Sequence, residues 1–172
     1  MDEGGVFMPN IFKTGILNRI KYIEMCGPTA AAHIKGSYKY PDIQGIVEFF
    51  PYLNGVYIVW EIIGLPSQSG DFSIHGFHIH SGASCGGSGR EAFPESGAHY
   101  DTGNHAHPYH SGDLPPVFAN NGYALGSVYT ARFTPKEIIG RTVIVHSMPD
   151  DFTTQPAGNS GEKIACGVIE EL

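Results

Sequence analysis

Residues 46–60 read Ile46-Val47-Glu48-Phe49-Phe50-Pro51-Tyr52-Leu53-Asn54-Gly55-Val56-Tyr57-Ile58-Val59-Trp60. Two runs rich in β-branched and aromatic residues flank Asn54-Gly55, a dipeptide that readily takes the left-handed backbone of a hairpin turn. A β-hairpin is expected, with Pro51 lengthening its loop beyond two residues, because proline cannot donate to a strand ladder. Comparable segments recur between turn signals at 31–39, 44–50, 56–63, 71–80, 123–132, 141–147 and 163–170. That spacing predicts an all-β domain, a sandwich or barrel of antiparallel strands.

Composition agrees. The chain has 172 residues, enough for one domain with an ordinary core. Only 16% are charged, while 23 glycines and 12 prolines favour many turns over long helices. The formal charge of −7 speaks against nucleic acid or an anionic membrane surface as a partner, since nothing neutralises phosphates. No apolar run approaches the roughly 18 residues of a membrane span. Residues 1–28 show no clean period and are read as an N-terminal extension, with a short helix at 16–25, ahead of a domain over 29–172. The acidic start, Asp2-Glu3, does not read as a signal peptide, so a cytoplasmic location is expected unless a leader has been removed.

Chemistry concentrates in the histidines. In His78-Ile79-His80 the strand alternation sends both imidazoles to one face while Phe77 and Ile79 enter the core. A pair at i and i+2 can grip one ion, although His-x-His on a sheet is common without one. The glycine-rich stretch 81–116 then carries His99, His105, His107, His110 and Asp113. A loop that long needs something to order it. Imidazole and carboxylate ligands suit a tetrahedral zinc site. A third element, Arg141 to His146, is an apolar strand ending in a histidine. Of three cysteines, Cys85 lies in the long loop and Cys166 in the last strand. A bridge between them would tie loop to barrel, while two reduced buried thiols fit the sequence equally. Cys26 is left unpaired.

Taken in order, Gly76-Phe77-His78-Ile79-His80, Gly97-Ala98-His99-Tyr100, His110-Ser111-Gly112-Asp113-Leu114, Gly140 to His146 and Ala165-Cys166-Gly167-Val168-Ile169 resemble the copper/zinc superoxide dismutases. The resemblance implies a Greek-key β-barrel or sandwich of about eight antiparallel strands with long metal-binding and electrostatic loops. It places copper on His78, His80, His99 and His146, and zinc on His99, His107, His110 and Asp113, with His99 shared. His107 is taken over His105 because it keeps the family's separation of eight from the bridging histidine. Asp150, with Asp151 as its neighbour, falls where the family joins a copper-side to a zinc-side histidine, and Cys85 with Cys166 matches its disulfide.

The activity so implied is conversion of superoxide to dioxygen and hydrogen peroxide through copper redox cycling, with zinc structural and His99 handling a proton. A homodimer is compatible with the resemblance. One departure stands out: Lys163 occupies the position of the family's substrate-guiding arginine, beside Glu162. Lysine keeps the charge and loses the planar fork. That departure keeps open a non-catalytic reading, a dismutase-like protein for copper and zinc handling, and a zinc-stabilised binding module is a third.

Overall fold

In the computed structural model, which describes residues 15–172 and only the backbone at 16–19, 22 and 24, the hairpin at Asn54 is tighter than expected. Strand β2 (Gln44–Tyr52) pairs with β3 (Gly55–Ile63) all the way to Tyr52 opposite Gly55, so the loop is only Leu53-Asn54, with Leu53 at φ +53°. Pro51 is tolerated because β1 (Ala30–Gly36) pairs with β2 only as far as Phe49. Beyond that point the outer edge of β2 asks no N–H of Pro51.

The expected strand at 71–80 is in fact two. β4 (Phe72–His75) pairs with β6 (Val117–Asn120), while β5 (Phe77–His80) pairs with β8 (Thr142–His146). The chain changes sheet at Gly76, where an added Cβ would lie 2.8 Å from Ser160 Cβ. Strand β6 carries no clear alternating signal in the sequence and was not anticipated.

The remaining strands are β7 (Ala124–Thr130) and β9 (Lys163–Glu171). Seven strands form one antiparallel sheet in the order β5-β8-β9-β1-β2-β3-β7, and β4-β6 form a second, smaller ladder. The last strand returns beside the first, the long connection of a Greek key. Inward residues alternate along the strands as the sequence pattern requires: Val47 and Phe49, Val56, Ile58, Trp60 and Ile62, Phe77 and Ile79 are all buried. Trp60 packs on Phe77 with ring centroids 5.3 Å apart.

Among the described residues, two α-helices flank the strands. Helix α1 (Gly15–Cys26) confirms the helix expected at 16–25 and buries Ile23. Helix α2 (Pro135–Ile138) starts from a capping box in which Glu137 accepts from the Thr134 N–H at 2.6 Å. The first fourteen residues of the expected extension, and the reading of the chain's start, lie outside the described residues. No helix among the described residues is long and apolar enough to cross a membrane.

Strand β5 is a sheet edge, and an unpaired edge needs a cover. The long loop supplies it. Ser81 and Tyr100 N–H donate to Ala98 and Ile79 carbonyls, both at 2.8 Å, and Ile79 N–H donates to Gly112 at 2.9 Å. Loop backbone thus runs beside β5, so His78 and His80, on the face away from the core, are buried under it.

Candidate metal centre

The geometry follows from what each imidazole does with its second nitrogen. His78 Nε2 donates to Asp150 Oδ2 at 2.8 Å, and His80 Nδ1 donates to the Gly97 carbonyl at 2.8 Å. His146 Nδ1 faces the Gly161 carbonyl at 3.4 Å. With those atoms engaged, His78 Nδ1, His80 Nε2 and His146 Nε2 are turned inward, the last two 3.3 Å apart. One potential ligand atom from each of His78, His80, His99 and His146 lies within 4.8 Å of every other.

A second set adjoins the first. His99, His107, His110 and Asp113 satisfy the same 4.8 Å criterion. Asp113 Oδ1 lies 2.7 Å from His99 Nδ1, and its Oδ2 lies 3.1 Å from His107 Nδ1 and 3.2 Å from His110 Nδ1. His107 Nε2 donates to Asp150 Oδ1 at 2.9 Å, so one buried carboxylate spans both sets. His99 alone belongs to both, with its ring centroid 4.0 Å from that of His78.

Whether metal fits can be read from the unpaired atoms. His78 Nδ1 and His99 Nε2 are buried and lack a hydrogen-bond partner among the described residues, and His107 Nδ1, though 3.1 Å from Asp113 Oδ2, makes no hydrogen bond to it. Such atoms cost about 1–3 kcal/mol each unless something satisfies them. Inward nitrogens converging from several sides, each ring fixed by its outer hydrogen bond, are what a metal ion requires.

Protonation states agree with that use. Burial drives His78 down to about 4 and His80 to about 2, and pushes His146 well below the usual imidazole value. Burial would raise Asp150, but hydrogen bonds from His78, the Phe152 N–H and His107 hold it at about 2. Asp113 is likewise lowered, burial being outweighed by its bond to His99. These imidazoles are therefore neutral and the carboxylates ionised at pH 7, the forms that bind metal.

Residues 43–169 match the family model described as copper/zinc superoxide dismutase. The chain is 32% identical over 149 residues to a copper-zinc superoxide dismutase of Deinococcus radiodurans, covering 76% of this chain and 79% of that one. It is 37% identical over 111 residues to one from Photobacterium leiognathi, covering 56% of this chain and spanning 64% of the relative's length. The solved copper/zinc dismutase of Brucella abortus superposes with a TM-score of 0.70 at 29% identity, over 82% of this chain and 99% of that one. The chain belongs to the copper/zinc superoxide dismutase family. Copper and zinc are that family's cofactors, and the two sets offer a place for each.

Within this family member, His105, set aside in the sequence, and His75 have other work. His105 is exposed and pairs with Asp101 at 2.9 Å, apart from both sets. Its Asp101 is held far below the usual carboxylate range by that bond. His75 is buried, its Nδ1 donating to the His146 carbonyl at 2.8 Å. Asp151 is not the linking carboxylate; it caps a turn by accepting from the Thr153 and Thr154 N–H groups.

Cys85 and Cys166 are bridged, with Cα atoms 5.8 Å apart. Cys26 is a free, exposed thiol. Supports that the sequence did not reveal include Gln155, which both donates to the His107 carbonyl at 2.6 Å and accepts its N–H at 3.0 Å. Arg132 is another, donating to the His110 and Asp113 carbonyls at 3.1 and 3.2 Å. Both act on backbone atoms, which leave no trace in residue identity.

A cavity of about 710 Å³ opens over His80, His99 and His146. Its wall includes Arg90, Glu91, Glu162 and Lys163. Glu162 is paired with Lys39 at 2.7 Å, so the acid beside Lys163 is offset from outside the cavity. Lys163 is partly buried, and burial lowers its ammonium below the ordinary lysine value, with nearby Glu91 opposing that shift.

Proposed function

We infer that the chain is a superoxide dismutase, converting two superoxide anions and two protons to dioxygen and hydrogen peroxide. The observation that carries this is the sharing of His99: one imidazole faces a histidine-only set through Nε2 and a histidine-carboxylate set through Nδ1. His78, His80, His99 and His146 would hold copper, and His99, His107, His110 and Asp113 zinc. Copper, when bound, supplies one-electron redox chemistry, which zinc cannot.

The chain's own residues do the rest. His99 Nε2, with no partner among the described residues, can hold a proton next to the cavity and release it toward peroxide. Asp150, by fixing both His78 and His107, keeps the two sets in one geometry. Backbone from residues 97 to 100 runs beside β5 and buries His80, which borders the cavity. Residues 29–172 would form the catalytic domain, with 1–28 as its extension.

The bridge Cys85–Cys166 favours an oxidising compartment over the cytoplasmic location expected from the chain's start. A homodimer is supported by Phe72 and Phe118, exposed together on the β4-β6 ladder. Purified protein should contain copper and zinc in equal amounts and remove superoxide well above a free-copper control. Bound copper without activity above that control would overturn the assignment.

A further inference from the structure

Two cations face the cavity, and the structure gives them different freedom. The Lys163 ammonium has three N–H donors, and three acceptors surround it: Ser96 Oγ at 2.9 Å, the Gly97 carbonyl at 3.1 Å and the Phe93 carbonyl at 3.5 Å. Ser96 is fully buried and itself donates to Phe93 at 2.8 Å, so this anchorage belongs to the loop scaffold. The Gly97 carbonyl that Lys163 grips is also the acceptor of His80 Nδ1. Lys163 therefore holds in place the atom that fixes the His80 ring. Its hydrogen-bonding capacity is spent on protein.

Arg90 differs on each count. It lines the same cavity, is exposed, and makes no hydrogen bond or ion pair with a described residue. The other charges at the wall are committed or close to Lys163: Glu162 pairs with Lys39, Asp101 with His105, and Glu91 acts on Lys163. An anion approaching the cavity meets Arg90 as the cation with donors to spare.

We propose that Arg90 is the residue that draws the anionic substrate to this site, and that Lys163 is a positioning residue acting through the Gly97 carbonyl on His80. The proposal rests on the dismutase reading for the identity of the anion. A guanidinium attracts anions at a distance and can also bind them in two-point fashion.

The test compares metal-loaded wild-type protein with Arg90→Gln, Lys163→Gln, Lys163→Arg and Lys136→Gln, the last removing a like charge from α2 beside a different cavity. Superoxide removal is timed from about 10 mM to about 0.3 M salt, where screening is strong. Azide binding and the visible copper spectrum are read in parallel. Arg90→Gln should lower the rate about threefold at low salt, lose that deficit at high salt, and weaken azide by a similar factor, with the spectrum unchanged. Lys163→Gln should shift the spectrum and keep its rate deficit at high salt, and Lys163→Arg should restore the spectrum. The proposal is overturned if Arg90→Gln behaves like Lys136→Gln, or if Lys163→Gln shows a deficit that salt abolishes with an unshifted spectrum. Were the wild type unable to remove superoxide, the dismutase reading would fail while azide titration still judged Arg90.

Discussion

The two histidine sets meet at His99 but are held by different physics. His78, His80 and His146 stand on paired strands, β5 and β8, whose register puts His78 opposite Ile144 and His80 opposite Thr142. Ladder hydrogen bonds and the core beneath Phe77 and Ile79 hold their backbone. The residues proposed for zinc, His107, His110 and Asp113, sit on loop, where cross-links do that work: the Cys85–Cys166 bridge, Asp150, Gln155 and Arg132. A strand-borne site is thus stiff because of the fold, and a loop-borne site is only as stiff as its ties.

Cutting those ties in turn should separate the two sets. The bridge spans 81 residues of sequence, and closing a loop of that length is worth roughly 4 kcal/mol in the chain-entropy account. The double variant Cys85→Ser, Cys166→Ala should therefore unfold at clearly lower urea, and its zinc should be chelated faster than its copper. Equal loss of both metals would show that the loop and strand sites stand or fall together.

Asp150→Ala removes the one carboxylate common to both sets and leaves two buried imidazole N–H groups unpaired. Losing such an outer partner costs about 10–100-fold in metal affinity. Zinc should suffer more, because His78 keeps its strand while His107 keeps only the Gln155 tie to its backbone. Competition with a chromophoric chelator measures both affinities.

The pH dependence of the metal-free protein sharpens the strand side. His78 and His80 are lowered to about 4 and about 2, so between those values and the unfolded value near 6.5 the unfolded chain binds protons that the folded chain refuses. Stability must then fall as pH drops from 6.5, by up to about 1.4 kcal/mol per pH unit for each such histidine. Urea midpoints taken at pH 7.5 and 5.0 should move down without metal and at least as far with it, because ligand imidazoles must stay unprotonated to hold an ion. A flat profile for the metal-free protein would mean these rings are hydrated in solution.

The smallest effect is expected from Arg132→Gln. The guanidinium is exposed, so losing its bonds to the His110 and Asp113 carbonyls should cost about 1 kcal/mol, seen as a several-fold weaker zinc site. Copper affinity should not change.

The same division governs how far the sequence could be read. The His-x-His pair, the strand ending in His146 and the Asn54-Gly55 hairpin are local patterns whose geometry alternation determines, and the structure bears them out. Local pattern also failed at two places for a stated reason. The chain changes ladders at Gly76, where Ser160, far away in sequence, leaves no room for a side chain, and Pro51 extends β2 only because its edge is unpaired there.

From residue types and their order alone came the all-β class and the metal chemistry, while the resemblance to the family implied His107 over His105 and Asp150 over Asp151. Only the folded chain decided which nitrogen of each ring turns inward, since that depends on outer acceptors such as Gly97 and Asp150 brought in from other segments. It also decided that Lys163 is anchored while Arg90 has no partner among the described residues, because a side chain's charge is written in its identity but its partners are not.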